Sequence, residues 1–415
     1  MTIARTVLDS GVTIVTEQVS HLRSATIGVW SEAGSRAEAP QDNGIAHFIE
    51  HMLFKGTGRR KALDISREIE SVGGSMNACT EREYVFFFAK VLDRDFPLAV
   101  DILADIYLNS VFDRDELERE RDVVLQEILM VEDNPEDVVD DLFHASYWGG
   151  HPLGLPVQGT SGSVAAFTRD RVTSWFSDRF RRRGLVVSVV GNLDHVRIVD
   201  AFEQNLGSLR LGRRRLPEAP PPPARGAFVK ERPTEQVHLC LGAPAISRNS
   251  DLRYAARILN TILGGSMCSR LFQEVREKRG LAYSIGSSMS LYSDSGIVKI
   301  SAGTSRDKVD ELLSVVGDVV ERMGNGEIGD DEVAMARELV KGTMILGQES
   351  AEYRMSRLAM NELVFGRIEE HGEAVRRVDA LKAEEVRELA GALLRRDAFS
   401  LAAVGDLPAG AALAF

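Results

Sequence analysis

"LVVSVVGNLDH" occupies residues 185–195, and "AFSLAAVGDLP" occupies residues 398–408. Each is an apolar strand pattern closed by Val-Gly-(Asn/Asp)-Leu, and the two glycines, Gly191 and Gly405, are 214 positions apart. Upstream in each half stands a second strand pattern, "ATIGVW" at 25–30 and "VHLCLG" at 237–242, at an offset of 212. Two anchors at nearly one spacing indicate an internal duplication. Between the copies, residues 217–223 hold five prolines in seven positions. Such a run excludes helix and central strand and favours a stiff, extended spacer. The expected organisation is a domain over 1–212, a proline-rich linker over 213–226 and a homologous domain over 227–415.

Helical patterns cover 44–54, 63–72, 96–108, 113–131, 251–263, 308–323 and 331–346. "SMNACT", "EYVFFFAKV" and "GIVKISAGT" carry the aromatic and β-branched residues of strands. Strands and helices mix without a βαβ beat. Each half is therefore expected to be α+β, a mixed or antiparallel sheet with helices packed on one face.

The chain has 415 residues, 44% hydrophobic and 27% charged, the balance of a soluble multidomain protein. No apolar run reaches the roughly 18 residues that span a bilayer. The first residues read as strand, turn at Ser10-Gly11 and strand, not as a secretory signal. Three scattered cysteines, Cys79, Cys240 and Cys268, offer neither a disulfide framework nor a CxxC pair. A reducing compartment, the bacterial cytoplasm, is the expected location. A net charge of −12 argues against nucleic-acid binding, and no membrane partner is expected.

"HFIEH" runs from 47 to 51. On a helix, residues four apart share a face, so His47 and His51 can ligate one ion, and Glu50 flanks the same place. The pattern is the inverted zincin motif, H-x-x-E-H. The bland reading is two histidines and a glutamate on a solvated helix face. A catalytic zinc takes three protein ligands, and a carboxylate would complete two histidines. The helical pattern at 113–131 offers several. Its apolar positions Val123, Val124, Leu125, Ile128, Leu129 and Val131 should bury one side. Glu127, set among them, fits a ligand best, and Glu120, seven residues earlier, can support the site. Glu116, Glu118 and Glu132 read as solvent-facing charge.

Taken together, "GIAHFIEHMLFKGT", "GGSMNACTEREYVFFFAKV" and "ERERDVVLQEI" resemble the pitrilysin and mitochondrial processing peptidase family of zinc endopeptidases. In the second half, "GGSMCSRLFQEVREKRGLAYSIGS" is similar to the segment with which that family helps hold substrate. The resemblance runs essentially end to end. It implies His47, His51 and Glu127 as ligands of one Zn2+ per chain, Glu50 as catalytic base and Glu120 as an acidic neighbour of the metal. It implies substrate contacts from an edge strand carrying Asn77, Ala78 and Thr80, and from Arg276 and Tyr283. Shifting His47 by 213 lands in "ILNTILGG", which has neither His nor Glu, so the second half should be metal-free.

The activity this implies is hydrolysis of peptides or unfolded polypeptides held extended in a clamp-like chamber. The implied partner is a second copy of the chain, placing the zinc of one copy opposite Arg276 and Tyr283 of the other. A distinct inactive homologue as partner, or a non-catalytic scaffold role, are the alternatives.

Overall fold

A computed structural model describes residues 2–212, 218–408, 411 and 413–415. Residues 213–217 of the expected linker lie outside these, and 218–226 form neither helix nor strand. The described residues gather into two compact units, each built on one sheet.

The first sheet has six strands: β1 (Thr2–Val7), β2 (Thr13–Gln18), β3 (Ser24–Ser31), β4 (Ser75–Thr80), β5 (Val85–Leu92) and β6 (Leu185–Gly191). Their order is β1-β2-β6-β3-β5-β4, with β2 and β6 parallel and the other neighbours antiparallel. The second sheet has five: β7 (Ala227–Glu231), β8 (Val237–Pro244), β9 (Ala282–Leu291), β10 (Gly296–Thr304) and β11 (Ser400–Gly405), in the order β7-β11-β8-β10-β9. Here β7 and β11 are parallel and the rest antiparallel. Replacing β2, β6, β3, β5 and β4 by β7, β11, β8, β10 and β9 reproduces order and direction throughout. The duplication read from two short strands thus extends to five strands of each sheet, and β1 has no counterpart among the described strands of the second.

One face of the first sheet packs on α1 (Ile45–Leu53), α2 (Ala62–Ser71) and α3 (Phe96–Asn109). Ile27, Val29, Ile49, Phe87, Leu103 and Tyr107 lie in that core. Along β5 the alternation is regular: Val85, Phe87, Ala89 and Val91 point inward, while Phe86 and Phe88 point to the opposite face.

That opposite face is covered as well, which the expectation of helices on one face did not include. Seven of the eight β3 residues and all of β6 are buried, as near-continuous apolar strands require when both sides are covered. The covering helix, Ala351–Phe365, comes from the C-terminal half and buries Met355, Leu358 and Ala359 against Val15, Trp30, Val186 and Val190. The second sheet receives the equivalent helix from the N-terminal half, α5 (Pro135–Trp148), following α4 (Arg114–Asp133). Phe143, Tyr147 and Trp148 of α5 pack with Cys240, Ile297, Ala402 and Val404.

The units therefore depart from a division at the proline-rich stretch. The first gathers Met1–Ile128, Leu155–Glu218 and Gly347–Ile368; the second gathers Leu129–Gly154, Ala219–Leu346 and Glu369–Phe415. Each half of the chain gives one helix to the other's sheet. No helix among the described residues is long and apolar enough to cross a membrane.

Candidate metal centre

The site is built on α1. Its apolar residues Ile45, Ala46, Phe48, Ile49, Met52 and Leu53 are buried and fix the helix in the core. His47, Glu50 and His51 remain on the opposite, partly open face. The helix starts at Gly44, whose φ of +91° suits glycine. A β-carbon there would meet the carbonyl oxygen of Gln158 at 2.6 Å.

The Glu38 carboxyl group, which burial pushes up to about 8, holds this start. Its Oε2 accepts from the Gly44 N–H at 2.9 Å and its Oε1 from the Ala46 N–H at 2.8 Å. These N–H groups have no acceptor within the helix. Asn43 adds a bond from its amide to Oε2 at 3.3 Å and one to the Pro156 carbonyl at 2.8 Å. Sequence reading missed Glu38 and Asn43. A cap six residues upstream follows no local capping pattern, so nothing in the spacing marks it.

The Nε2 atoms of His47 and His51 stand 3.1 Å apart. Glu127 Oε2 lies 3.8 Å from the first and 3.5 Å from the second. Among the described residues, these three are the one group of three or more His, Cys, Asp or Glu side chains whose donor atoms cluster this closely. Donors about 2.0–2.2 Å from one tetrahedral ion stand about 3.3 Å from one another. Two imidazole nitrogens and a carboxylate oxygen at 3.1–3.8 Å fit a zinc ion in spacing and in chemistry.

Glu120 lies behind His51. Its Oε1 is 2.8 Å from His51 Nδ1, and its Oε2 accepts from Lys55 Nζ at 2.6 Å. On the other side, Thr80 Oγ1 donates to Glu50 Oε2 at 2.5 Å. Asn77 is exposed on β4, where its Oδ1 accepts from the Ala78 N–H at 2.8 Å. β4 is the outermost strand of its sheet.

Burial along α4 differs from expectation. Its buried stripe is Leu117, Glu120, Val124 and Ile128, a 3.6-residue period. Val123 and Leu129 fall off that stripe and are exposed. The carboxylates accordingly exchange environments: the Glu120 side chain is 4% exposed and that of Glu127 is 41% exposed.

The electrostatics follow from this packing. Burial, then the neighbouring His51, lowers His47 from its ordinary 6.5 to about 4, so its imidazole is neutral at physiological pH. Burial lowers His51 too, but the hydrogen bond with Glu120 and the surrounding carboxylates leave it raised. Burial raises Glu50, partly opposed by the Thr80 bond. Burial also pushes at Glu120, yet the bonds from His51 and Lys55 outweigh it and hold that carboxyl low.

In the second unit the Arg276 guanidinium lies between the rings of Phe272 at 4.8 Å and Tyr283 at 4.6 Å. Tyr283, at the start of β9, is 78% exposed. Phe272 was not singled out in the sequence. The helix Arg253–Leu263, which corresponds to α1, has Asn260 where α1 has His47.

The insulinase model, for peptidase family M16, matches residues 13–161, and the model for the M16 inactive domain matches residues 166–340. An uncharacterized zinc protease of Streptomyces coelicolor is 40% identical over 98% of this chain and 90% of its own length. The chain belongs to peptidase family M16. An uncharacterized zinc protease of Bacillus subtilis is 38% identical over 98% of this chain and its whole length. Among solved structures, a peptidase M16 inactive domain from Pseudomonas fluorescens superposes with a TM-score of 0.91 over 99% of both chains, at 21% identity. This M16 chain thus has the two-domain fold of its family.

Proposed function

We propose that this M16 chain is a zinc-dependent endopeptidase holding one zinc ion on His47, His51 and Glu127, with Glu50 as its base. The observation that carries the reading is the convergence of two imidazole nitrogens and one carboxylate oxygen, with Glu50 on the same helix face between the histidines. The zinc names of relatives at 38–40% identity support it. Bound zinc would acidify a water molecule and polarise the scissile carbonyl.

Glu50 would accept the water proton and pass it to the leaving amine. Thr80 donates to Glu50 Oε2, and Oε1 would be the oxygen that takes the proton. Glu120 would orient His51 from behind. β4 is an edge strand, so an extended peptide could add to it by backbone pairing beside Asn77, Ala78 and Thr80. Arg276, stacked between two rings, and the exposed Tyr283 hydroxyl would contribute donors to the substrate backbone. Peptides and unfolded polypeptides are the proposed substrates, the bacterial cytoplasm the proposed compartment and a homodimer the proposed working form.

The test is hydrolysis of a mixed peptide library by the purified chain, with metal content measured by elemental analysis. One zinc per chain, and loss of hydrolysis when a chelator removes it, are expected. Full hydrolysis by protein shown to be metal-free would overturn the assignment. Size-exclusion chromatography of the active fraction tests the homodimer, and activity that appears only with a different partner chain would replace it.

A further inference from the structure

We propose that Lys55 is a positioning residue of the metal centre: it fixes the Glu120 carboxylate, and through it the ring of His51, in the orientation that presents Nε2 to the metal. The proposal rests on the reading that His47, His51 and Glu127 hold zinc. Lys55 lies four residues after His51, and its N–H still bonds the Met52 carbonyl, so the helical path of α1 carries it to the side of His51. Its ammonium donates to Glu120 Oε2 at 2.6 Å, while Glu120 Oε1 takes His51 Nδ1 at 2.8 Å.

The Glu120 side chain is 4% exposed. A carboxylate so enclosed needs a compensating charge and donors for its oxygens. With one oxygen tied to Lys55, the carboxylate cannot rotate away from His51. The imidazole hydrogen then stays on Nδ1, and the Nε2 lone pair faces Glu127 and His47. Among the described residues, the Nδ1 of His47, which is buried, has no comparable carboxylate behind it. The hydrogen bond to Glu120 thus sets the orientation of His51, and Lys55 is the far anchor of that arrangement.

The sign of the effect separates this role from a simple charge effect. Removing a cation near a dication would, by Coulomb's law alone, tighten zinc binding. Loss of a positioning group weakens it, typically 10–100-fold.

The experiment compares wild type with Lys55→Met in the full chain, using competition for zinc with a chromophoric chelator. About tenfold weaker binding is expected, recovered in Lys55→Arg and absent when Lys55→Met is added to Glu120→Gln. If Lys55→Met does not fold, Lys55→Gln takes its place. Zinc binding as tight as wild type, or tighter, overturns the proposal. In the metal-free chain, at a pH high enough for the His51 ring to be neutral, nitrogen-15 NMR of labelled histidine should show His51 as one Nδ1–H tautomer in wild type and as a mixture in Lys55→Met. A single unchanged tautomer also overturns it. A wild-type chain that binds no zinc would sink the metal reading, while the tautomer measurement still decides the role of Lys55.

Discussion

The ring tip of Phe143 lies 2.3 Å from the point that a β-carbon on Gly242 would occupy. Met355 Sδ stands at the same distance from that point on Gly28. Gly28 and Gly242 are 214 positions apart, and Phe143 and Met355 are 212 apart. The duplication therefore repeats a contact, in which a side chain from the exchanged helix enters a notch in the central strand. Added carbon in a filled core forces side chains and backbone to shift, at about 1–3 kcal/mol. Gly242→Ala is expected to destabilise the protein by about that amount in urea unfolding, and Phe143→Leu in the same chain should recover part of it. An unchanged midpoint for Gly242→Ala would mean that α5 docks with slack.

Glu50→Gln should leave zinc binding near wild type, because Glu50 is not among the three converging donors. Its amide cannot accept a proton, so turnover should fall by about 10²–10⁴-fold, the usual worth of a general base. Zinc titration and peptide hydrolysis on one preparation check both halves. Near-normal turnover would move the base elsewhere.

The metal-free chain should respond to acid through His47. Its folded value, about 4, lies below the ordinary 6.5, so the folded state resists a proton that the unfolded state accepts. The resulting stability is present above 6.5 and is lost as pH falls toward 4. His51 is raised, so its contribution has the opposite sign, complete below 6.5 and lost as pH rises through its folded value. Melting of metal-free His47→Gln at pH 7 and pH 4.5 should therefore show a smaller acid loss than wild type. His51→Gln should show an acid loss at least as large as wild type. Equal losses in wild type and His47→Gln would place the acid sensitivity on other groups.

Legibility in the sequence followed the range of each interaction. The face shared by His47, Glu50 and His51 is a matter of helix spacing, so it could be read from five letters. The strands of both sheets other than β7 and β9 carried patterns of their own in the sequence. The exchange of α5 and Ala351–Phe365 could not be read, because an apolar stripe does not say which sheet will cover it. The consecutive apolar residues of β3 and β6 carried the hint, since a strand buried on both faces needs two covers. The relative burial of Glu120 and Glu127 was misjudged. Neighbours in sequence were counted, whereas the stripe through Leu117, Val124 and Ile128 passes through Glu120. Thr80 was noted for substrate, but its bond to Glu50 joins β4 to α1 and appears only in the fold.

Glu38 provides the last test, of how the metal-bearing helix is held. Its two oxygens take the N–H groups of Gly44 and Ala46 and the amide of Asn43. All of these residues are buried, so water has little access to replace the carboxyl group. Each buried donor left without an acceptor costs about 1–3 kcal/mol. Glu38→Ala should therefore lose at least about 2 kcal/mol in urea unfolding of the metal-free chain. Glu38→Gln keeps one carbonyl oxygen as acceptor and turns an NH2 group toward donors, so it should fall between Glu38→Ala and wild type. The loosened start of α1 lies one turn before His47, so zinc affinity should decline in the same order. Unchanged stability in Glu38→Ala would show that the first turn of α1 is held by its apolar face alone. Lost stability with unchanged zinc affinity would show that His47 and His51 keep their places without the cap.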